Sequence, residues 1–260
     1  MIRHEDIWVE LAAGRVFARM WSPVSVQGSP IILFHDSLGS VELWRGFPAA
    51  LATRTGRKVI AYDRLGFGQS DPRSDTLDMD FIADEAETYF PALRAELGIN
   101  RFVAFGHSVG GGMAVNCAAK FSDTCDALIT ESAQAFVEDR TLQGIRAAQA
   151  LFEDTAQVER LGRYHGDKAR WVLDAWIDTW LSPAFSNWSL DSVLPRVTCP
   201  LLAIHGADDE YGSPRHPELI GRLAGGPTRV EVIPDTHHVP HREREAAVLD
   251  LVAEFLRAID

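Results

Sequence analysis

A serine set among glycines stands at residues 106–110, Gly106-His107-Ser108-Val109-Gly110, with Gly111 and Gly112 directly after it. The apolar run Phe102–Phe105 leads into this segment and a helical pattern leaves it. The result is a G-x-S-x-G turn between a strand and a helix. That spacing suits a nucleophile. So tight a turn forces the serine into strained backbone angles, and the flanking glycines keep side chains clear. Ser108 Oγ is lifted above the strand end. The free N–H groups and positive dipole end of the following helix then face any developing oxyanion. The plainer reading is a glycine-rich turn without chemistry, since five-residue matches also occur by chance. A phosphate loop is the other use of such glycines, but its Lys-Ser/Thr ending and the G-x-G-x-x-G spacing are missing.

A serine hydroxyl is a poor nucleophile until a base takes its proton. Two polar clusters could supply base and acid. His205-Gly206-Ala207-Asp208-Asp209-Glu210 follows the strand-like Leu201–Ile204, and Pro234-Asp235-Thr236-His237-His238-Val239-Pro240-His241 follows Val230–Ile233. Both lie just beyond strand C-terminal ends, where open α/β sheets form their ligand crevice. Asp208 and Asp209 are also residue types that favour tight turns, and Asp208 reads as one. The trio His237, His238 and His241 raises the question of a metal. Pro240 breaks the helix that an H-x-x-x-H site would use, and no carboxylate motif accompanies it, so no metal is expected.

The elements that must position these groups alternate along the chain. Ile7–Leu11 and Val16–Trp21 read as a β-hairpin around Gly14. Pro30–His35, Lys58–Tyr62, Arg101–Gly106, Ala127–Thr130, Pro200–His205 and Arg229–Ile233 read as strands. Helical spacing follows at Leu43–Leu51, at Phe81–Leu97 with a kink expected at Pro91, at Val109–Phe121, near Glu218–Leu223, and as one final helix over Arg242–Ala258. Such alternation implies a mostly parallel sheet with helices on both faces. Residues 134–190 break the pattern. Leu142, Ile145, Gln149 and Phe152 repeat at helical spacing, as do Leu173, Trp176, Ile177 and Trp180, and four of the seven tryptophans lie in this stretch. An all-helical block inside an α/β chain reads as an inserted cap over a core of residues 1–133 and 191–260.

With Ser108 on such an elbow and Asp and His clusters after later strands, the chain resembles the α/β-hydrolase superfamily, in its group of small serine esterases, enol-lactonases and C–C hydrolases. The resemblance covers nearly the whole length, with the cap its least diagnostic part. It implies the α/β-hydrolase fold: a mostly parallel central sheet, helices on both faces and a helical cap. It implies the chain order nucleophile, acid, base. The family's acid lies three residues after the glycine of a G-x-x-D motif, which falls on Asp209; Glu131, after the fourth strand, is the alternative. The family's base is the His of a Gly-His pair before the last helix. His238 holds that place, with His237 where glycine is usual, so His237 stays as the second choice. The loop His35-Asp36-Ser37-Leu38-Gly39 matches the family's His-Gly-x-x-Gly. By position, the Ser37 and Val109 N–H groups become the oxyanion donors. Asp36 replaces the usual glycine. Its carboxylate is expected to point away from the hole, toward loop N–H groups or a cation. His35 reads as a structural anchor. Tyr62-Asp63-Arg64-Leu65-Gly66-Phe67-Gly68-Gln69-Ser70 resembles the family's D-x-R-G-x-G-x-S loop with the arginine one place early. It reads as structural.

Together these readings imply a carboxylesterase-type serine hydrolase acting on a small to medium, largely apolar ester. Its substrate pocket is expected to use Asp36, Trp176, Trp180, Phe136 and Phe152, although cap aromatics also pack caps onto cores. A lactonase or C–C hydrolase on the same triad is the alternative chemistry, and a non-catalytic ligand receptor the alternative from another class. No cofactor is expected. Composition narrows the partners. The 260 residues carry 25 Lys and Arg against 37 Asp and Glu, a formal charge of −12. That charge opposes binding to nucleic acid or to an anionic membrane surface. The charged N-terminus lacks the apolar region of a secretory signal, and no apolar run approaches a membrane span. The scattered Cys117, Cys125 and Cys199 form no disulfide or metal pattern. The expectation is a cytoplasmic enzyme of a small-molecule ester, with a homodimer left open.

Overall fold

Eight strands form one sheet in the computed structural model of the chain, which describes residues 2–259. The strands are β1 (Arg3–Leu11), β2 (Gly14–Ser22), β3 (Ile31–Phe34), β4 (Val59–Tyr62), β5 (Phe102–His107), β6 (Cys125–Glu131), β7 (Leu201–Gly206) and β8 (Thr228–Ile233). Their spatial order is β1-β2-β4-β3-β5-β6-β7-β8. The β1–β2 hairpin is antiparallel, β2 joins β4 antiparallel, and every later pairing is parallel. β3 to β7 are buried at nearly every position because helices cover both faces. Alternation sends Ile31 and Leu33 into one core with Phe47, Leu51, Val248 and Val252. Ile32 and Phe34 go into the other, with Ile82, Phe90, Met113 and Ile220.

The helices are α1 (Phe47–Thr55), α2 (Phe81–Asp84), α3 (Phe90–Glu96), α4 (Val109–Lys120), α5 (Asp139–Leu151), α6 (Thr155–His165), α7 (Ala169–Trp180), α8 (Arg215–Leu223), α9 (Pro240–Glu243) and α10 (Glu245–Arg257). Two expected single helices are broken. Between α2 and α3 a π-helical turn spans Glu85–Tyr89, just ahead of Pro91. Proline has no N–H for the i−4 carbonyl and its ring crowds that carbonyl, so the preceding turn widens. The final helix also splits, at Arg244 (φ −134°, ψ 44°). The break frees side chains to hold the loop before it. Glu243 accepts the N–H groups of His237 (2.8 Å) and Val239 (3.1 Å), and Arg244 Nη2 donates to the Asp235 carbonyl (2.9 Å).

Between β6 and β7 the chain runs through α5, α6 and α7. The buried face of α5 is Thr141, Ile145 and Ala148. It is rotated from the expected Leu142–Ile145–Gln149–Phe152 stripe because Thr141 Oγ1 donates to the Tyr211 carbonyl at 2.7 Å and draws that face onto the β7–α8 loop. Among the described residues no helix is long and apolar enough to cross a membrane.

Candidate active site

Ser108 links β5 to α4 with φ 55° and ψ −126°, left-handed backbone that a non-glycine residue rarely adopts. The glycines beside it are required by space. A Cβ on Gly106 would meet the Gly110 carbonyl at 2.0 Å, and one on Gly110 would meet the Phe34 carbonyl at 2.2 Å. Ser108 N–H donates to the Glu131 carbonyl at 2.9 Å, which ties the turn to the end of β6. The hydroxyl donates to Gln134 Oε1 at 3.4 Å.

Across the cavity, His238 Nδ1 lies 2.8 Å from both oxygens of Asp209. A carboxylate only accepts, so Nδ1 carries the proton and Nε2 keeps its lone pair. Asp209 is fully buried, receives the Tyr211 N–H at 2.8 Å, and lies 3.4 Å from His205 Nε2. Burial alone would push the Asp209 pKa up, but His238 outweighs it and the pKa falls. Burial would likewise push the His238 pKa down; the Asp209 charge and hydrogen bond reverse this and raise it. The Tyr211 ring leans on the imidazole, with centres 4.8 Å apart. Ser108 and His238 line the same cavity, of about 190 Å³.

The alternatives for base and acid go elsewhere. His237 is 64% exposed, and its Nδ1 reaches the Asp208 carbonyl at 3.1 Å. Glu131 takes His241 Nδ1 at 2.5 Å on the far side of His107. His107 Nε2 donates to the His238 carbonyl at 2.8 Å. Burial, and after it His241, pushes the His107 pKa down to about 4. His107, Glu131 and His241 are the described residues whose ligand-type atoms lie closest to a metal-like cluster, within 4.8 Å of one another. His107 Nε2 already meets the His238 carbonyl, and His241 Nδ1 and Glu131 Oε2 meet each other.

Ser37 borders the main cavity and a small adjoining one that it shares with Val109, so the residues of the two expected donors line one cavity. Val109 opens α4, where a helix leaves its N–H groups without internal partners. Asp36 also lines the cavity. Its carboxylate takes no hydrogen bond among the described residues, contrary to the expected tie to loop N–H groups. It faces His107, His35, Arg242 and His238, whose fields overcome the effect of burial and lower its pKa.

Trp176 and Trp180 of α7 line the cavity, but Phe136 and Phe152 do not. Phe136 stacks on His216 at 4.4 Å and faces a separate surface pocket. Phe152 caps α5 and packs, half-buried, on the core. Their places are taken by Gln134, Thr141, Ile145, Glu210 and Tyr211, none of which the sequence singled out as lining. Gln134 follows β6 closely enough that its position was a usable signal; the others depend on how α5 folds back. In the Asp63–Ser70 loop, Asp63 accepts the N–H groups of Val41 (2.6 Å) and Gln69 (2.7 Å), while burial pushes its pKa up to about 6.

A family model described as alpha/beta hydrolase fold matches residues 29–157. The human serine hydrolase BPHL is 26% identical over 235 residues, spanning 87% of this chain and 79% of that protein. Among solved structures, the 2-hydroxy-6-oxo-6-phenylhexa-2,4-dienoate hydrolase of a Rhodococcus strain superposes with a TM-score of 0.79 at 17% identity, over 99% of this chain and 100% of that one. The enol-lactonase of Burkholderia xenovorans superposes with a TM-score of 0.73 at 19% identity, over 96% and 100%. Family model, sheet order and strained serine elbow agree: the chain has the α/β-hydrolase fold.

Proposed function

We propose that the protein is a serine hydrolase of the carboxylesterase type. One observation carries the reading. His238 is held by Asp209 at 2.8 Å in the tautomer that leaves Nε2 basic, and it shares its cavity with the strained Ser108. Ser108 Oγ attacks the ester carbonyl while His238 Nε2 takes its proton. Asp209 fixes the imidazole and stabilises its positive charge. The Ser37 and Val109 N–H groups stabilise the tetrahedral oxyanion. Collapse returns the proton to the leaving alcohol, and a water activated by His238 then releases the acid. The Ser108–Gln134 hydrogen bond is a resting arrangement, since catalytic hydrogen bonds often tighten only with substrate bound. The scheme needs no metal or organic cofactor.

In this reading α5 to α7, within residues 134–190, act as the cap. They contribute Thr141, Ile145, Trp176 and Trp180 to the cavity wall. The cavity of about 190 Å³ is smaller than a typical ligand pocket of roughly 300–1,000 Å³, which favours short acyl groups. Its wall is more polar than a purely apolar ester demands, because Asp36, Gln134 and Glu210 contribute to it.

A p-nitrophenyl ester series from acetate to octanoate tests the proposal on wild type and Ser108→Ala. Turnover should be highest for the short esters and vanish in the variant. Turnover retained in Ser108→Ala would contradict it. A lactone and a ring-cleavage product, assayed beside the esters, separate the other reactions that the same triad could run.

A further inference from the structure

The peptide joining Asp36 to Ser37 carries the N–H that the proposed scheme aims at the oxyanion. Its other end is held with unusual care. Arg64 Nη2 donates to the Asp36 carbonyl at 2.8 Å, His35 Nδ1 does so at 2.8 Å, and the Gly39 N–H does so at 3.1 Å. A carbonyl only accepts, so the His35 proton sits on Nδ1. His35 Nε2 is then a lone pair, and it receives the Arg64 backbone N–H at 3.1 Å and the Arg64 Nε–H at 3.3 Å. Burial, and after it the Arg64 charge, pushes the His35 pKa far down, which keeps this neutral tautomer in place. Both side chains are buried, and the guanidinium lies 4.1 Å from the centre of the Phe67 ring.

We propose that Arg64, locked by His35, is the positioning residue of the oxyanion hole, fixing and polarising the Asp36–Ser37 peptide so that the Ser37 N–H meets the developing charge. A planar trans peptide points its C=O and N–H to opposite sides. Donors gathered on the carbonyl therefore set the direction of the N–H. Arg64, Ser37 and Val109 border one small cavity, so Arg64 lies close to both residues that carry the expected donors. A charged donor makes a hydrogen bond roughly twice as strong as a neutral one. Such a bond at the carbonyl strengthens donation at the opposite N–H, by about 10–30% per bond in condensed-phase estimates. Two departures from the family pattern meet here: the residue other than glycine at position 36, and the arginine one place early. Arg64 uses only the main chain of residue 36, which leaves the side chain there free to be Asp.

The inference rests on the serine-hydrolase reading, and the experiment separates the two. Wild type is assayed first on p-nitrophenyl acetate. An inert wild type overturns the reading itself. With an active wild type, Arg64→Met, Arg64→Lys, His35→Gln and His35→Asn are compared for kcat, KM, Tm and affinity for a trifluoromethyl ketone, whose Ser108 adduct carries the same oxyanion. Losing an oxyanion donor outright typically costs about 10²–10³ in rate, so misdirecting one should cost Arg64→Met about 10- to 100-fold in kcat, with KM changed less than about threefold. Ketone affinity should fall by the same factor as kcat/KM, and Arg64→Lys should recover part of both. His35→Asn, whose amide reproduces the Nδ1 donor, should retain more kcat than His35→Gln. The His35 pair decides the matter if Arg64→Met does not fold. Wild-type kcat in Arg64→Met would overturn the proposal. So would a loss that follows Tm while ketone affinity stays unchanged, or equal kcat in the two His35 variants.

Discussion

Two histidine–carboxylate pairs stand at one corner of the sheet, His238 with Asp209 and His241 with Glu131. Their chemistry is alike. Each imidazole presents Nδ1 to a carboxylate placed at the C-terminal end of a strand, at 2.8 Å in the first pair and 2.5 Å in the second. In both, burial alone would raise the carboxylate pKa, and the facing histidine lowers it instead. They differ in access. The His238 side chain is 11% exposed and opens on the cavity with Ser108; the His241 side chain is 3% exposed and packs between Trp44 and Phe47. A histidine–carboxylate pair is thus not a catalytic signature by itself. In the proposed mechanism, what makes one of them a base is an imidazole edge open to a cavity that also holds the nucleophile. The other pair fastens α9 to β6 and, through His107, supports the backbone of the first.

The largest effect that can break this comparison is on rate. Asp209→Asn should lower kcat by about 10⁴, because the amide favours the wrong imidazole tautomer. Glu131→Gln should leave kcat/KM within about threefold. Equal losses in the two variants, measured on p-nitrophenyl acetate, would erase the distinction. The next effect is on stability. Breaking a buried pair costs about 3–5 kcal/mol, so Glu131→Gln should lower the urea midpoint well below that of wild type. An unchanged midpoint would show that the sealed pair holds nothing together.

Acid stability sharpens the same contrast. His107, between the pairs, has a folded pKa of about 4 against an ordinary 6.5. Its lowered value means that the folded state keeps it neutral. The stability from that neutrality is complete above pH 6.5 and is lost as pH falls toward 4, on the order of 3 kcal/mol. Melting curves between pH 7 and 4 should show this decline, and His107→Asn should flatten it. The smallest effect is a shift of the pH–rate profile. The proposed mechanism needs His238 neutral, and Asp209 raises its pKa against the effect of burial. The acid limb of kcat/KM should therefore lie above the ordinary 6.5, and Asp209→Asn should move it to lower pH. A limb that does not move would mean that another group titrates.

The sequence made the elbow legible because its constraint is local. Gly106 and Gly110 are dictated by backbone that nearly touches backbone. Asp209 and His238 were legible because parallel strands deliver their C-terminal loops to one edge. The break at Arg244 was hidden, since the Glu243 and Arg244 side chains act on a loop that precedes them in the chain. Phe136 and Phe152 were misassigned for a similar reason. Helical spacing shows that a face is apolar, but not whether it meets the core, a cavity or a neighbouring helix. Gln134, Tyr211 and Arg64 reach their places through contacts between distant segments, which no spacing rule encodes.

The central claim is that His238, and not its sealed neighbour, activates Ser108. The most direct test is the rate of fluorophosphonate labelling, with peptide mapping, in wild type, His238→Asn and His241→Asn. The account predicts an adduct on Ser108 in all folded proteins, formed at a rate near wild type in His241→Asn and slower by about 10³ or more in His238→Asn. Labelling away from Ser108, or a rate that survives in His238→Asn and collapses in His241→Asn, would contradict it.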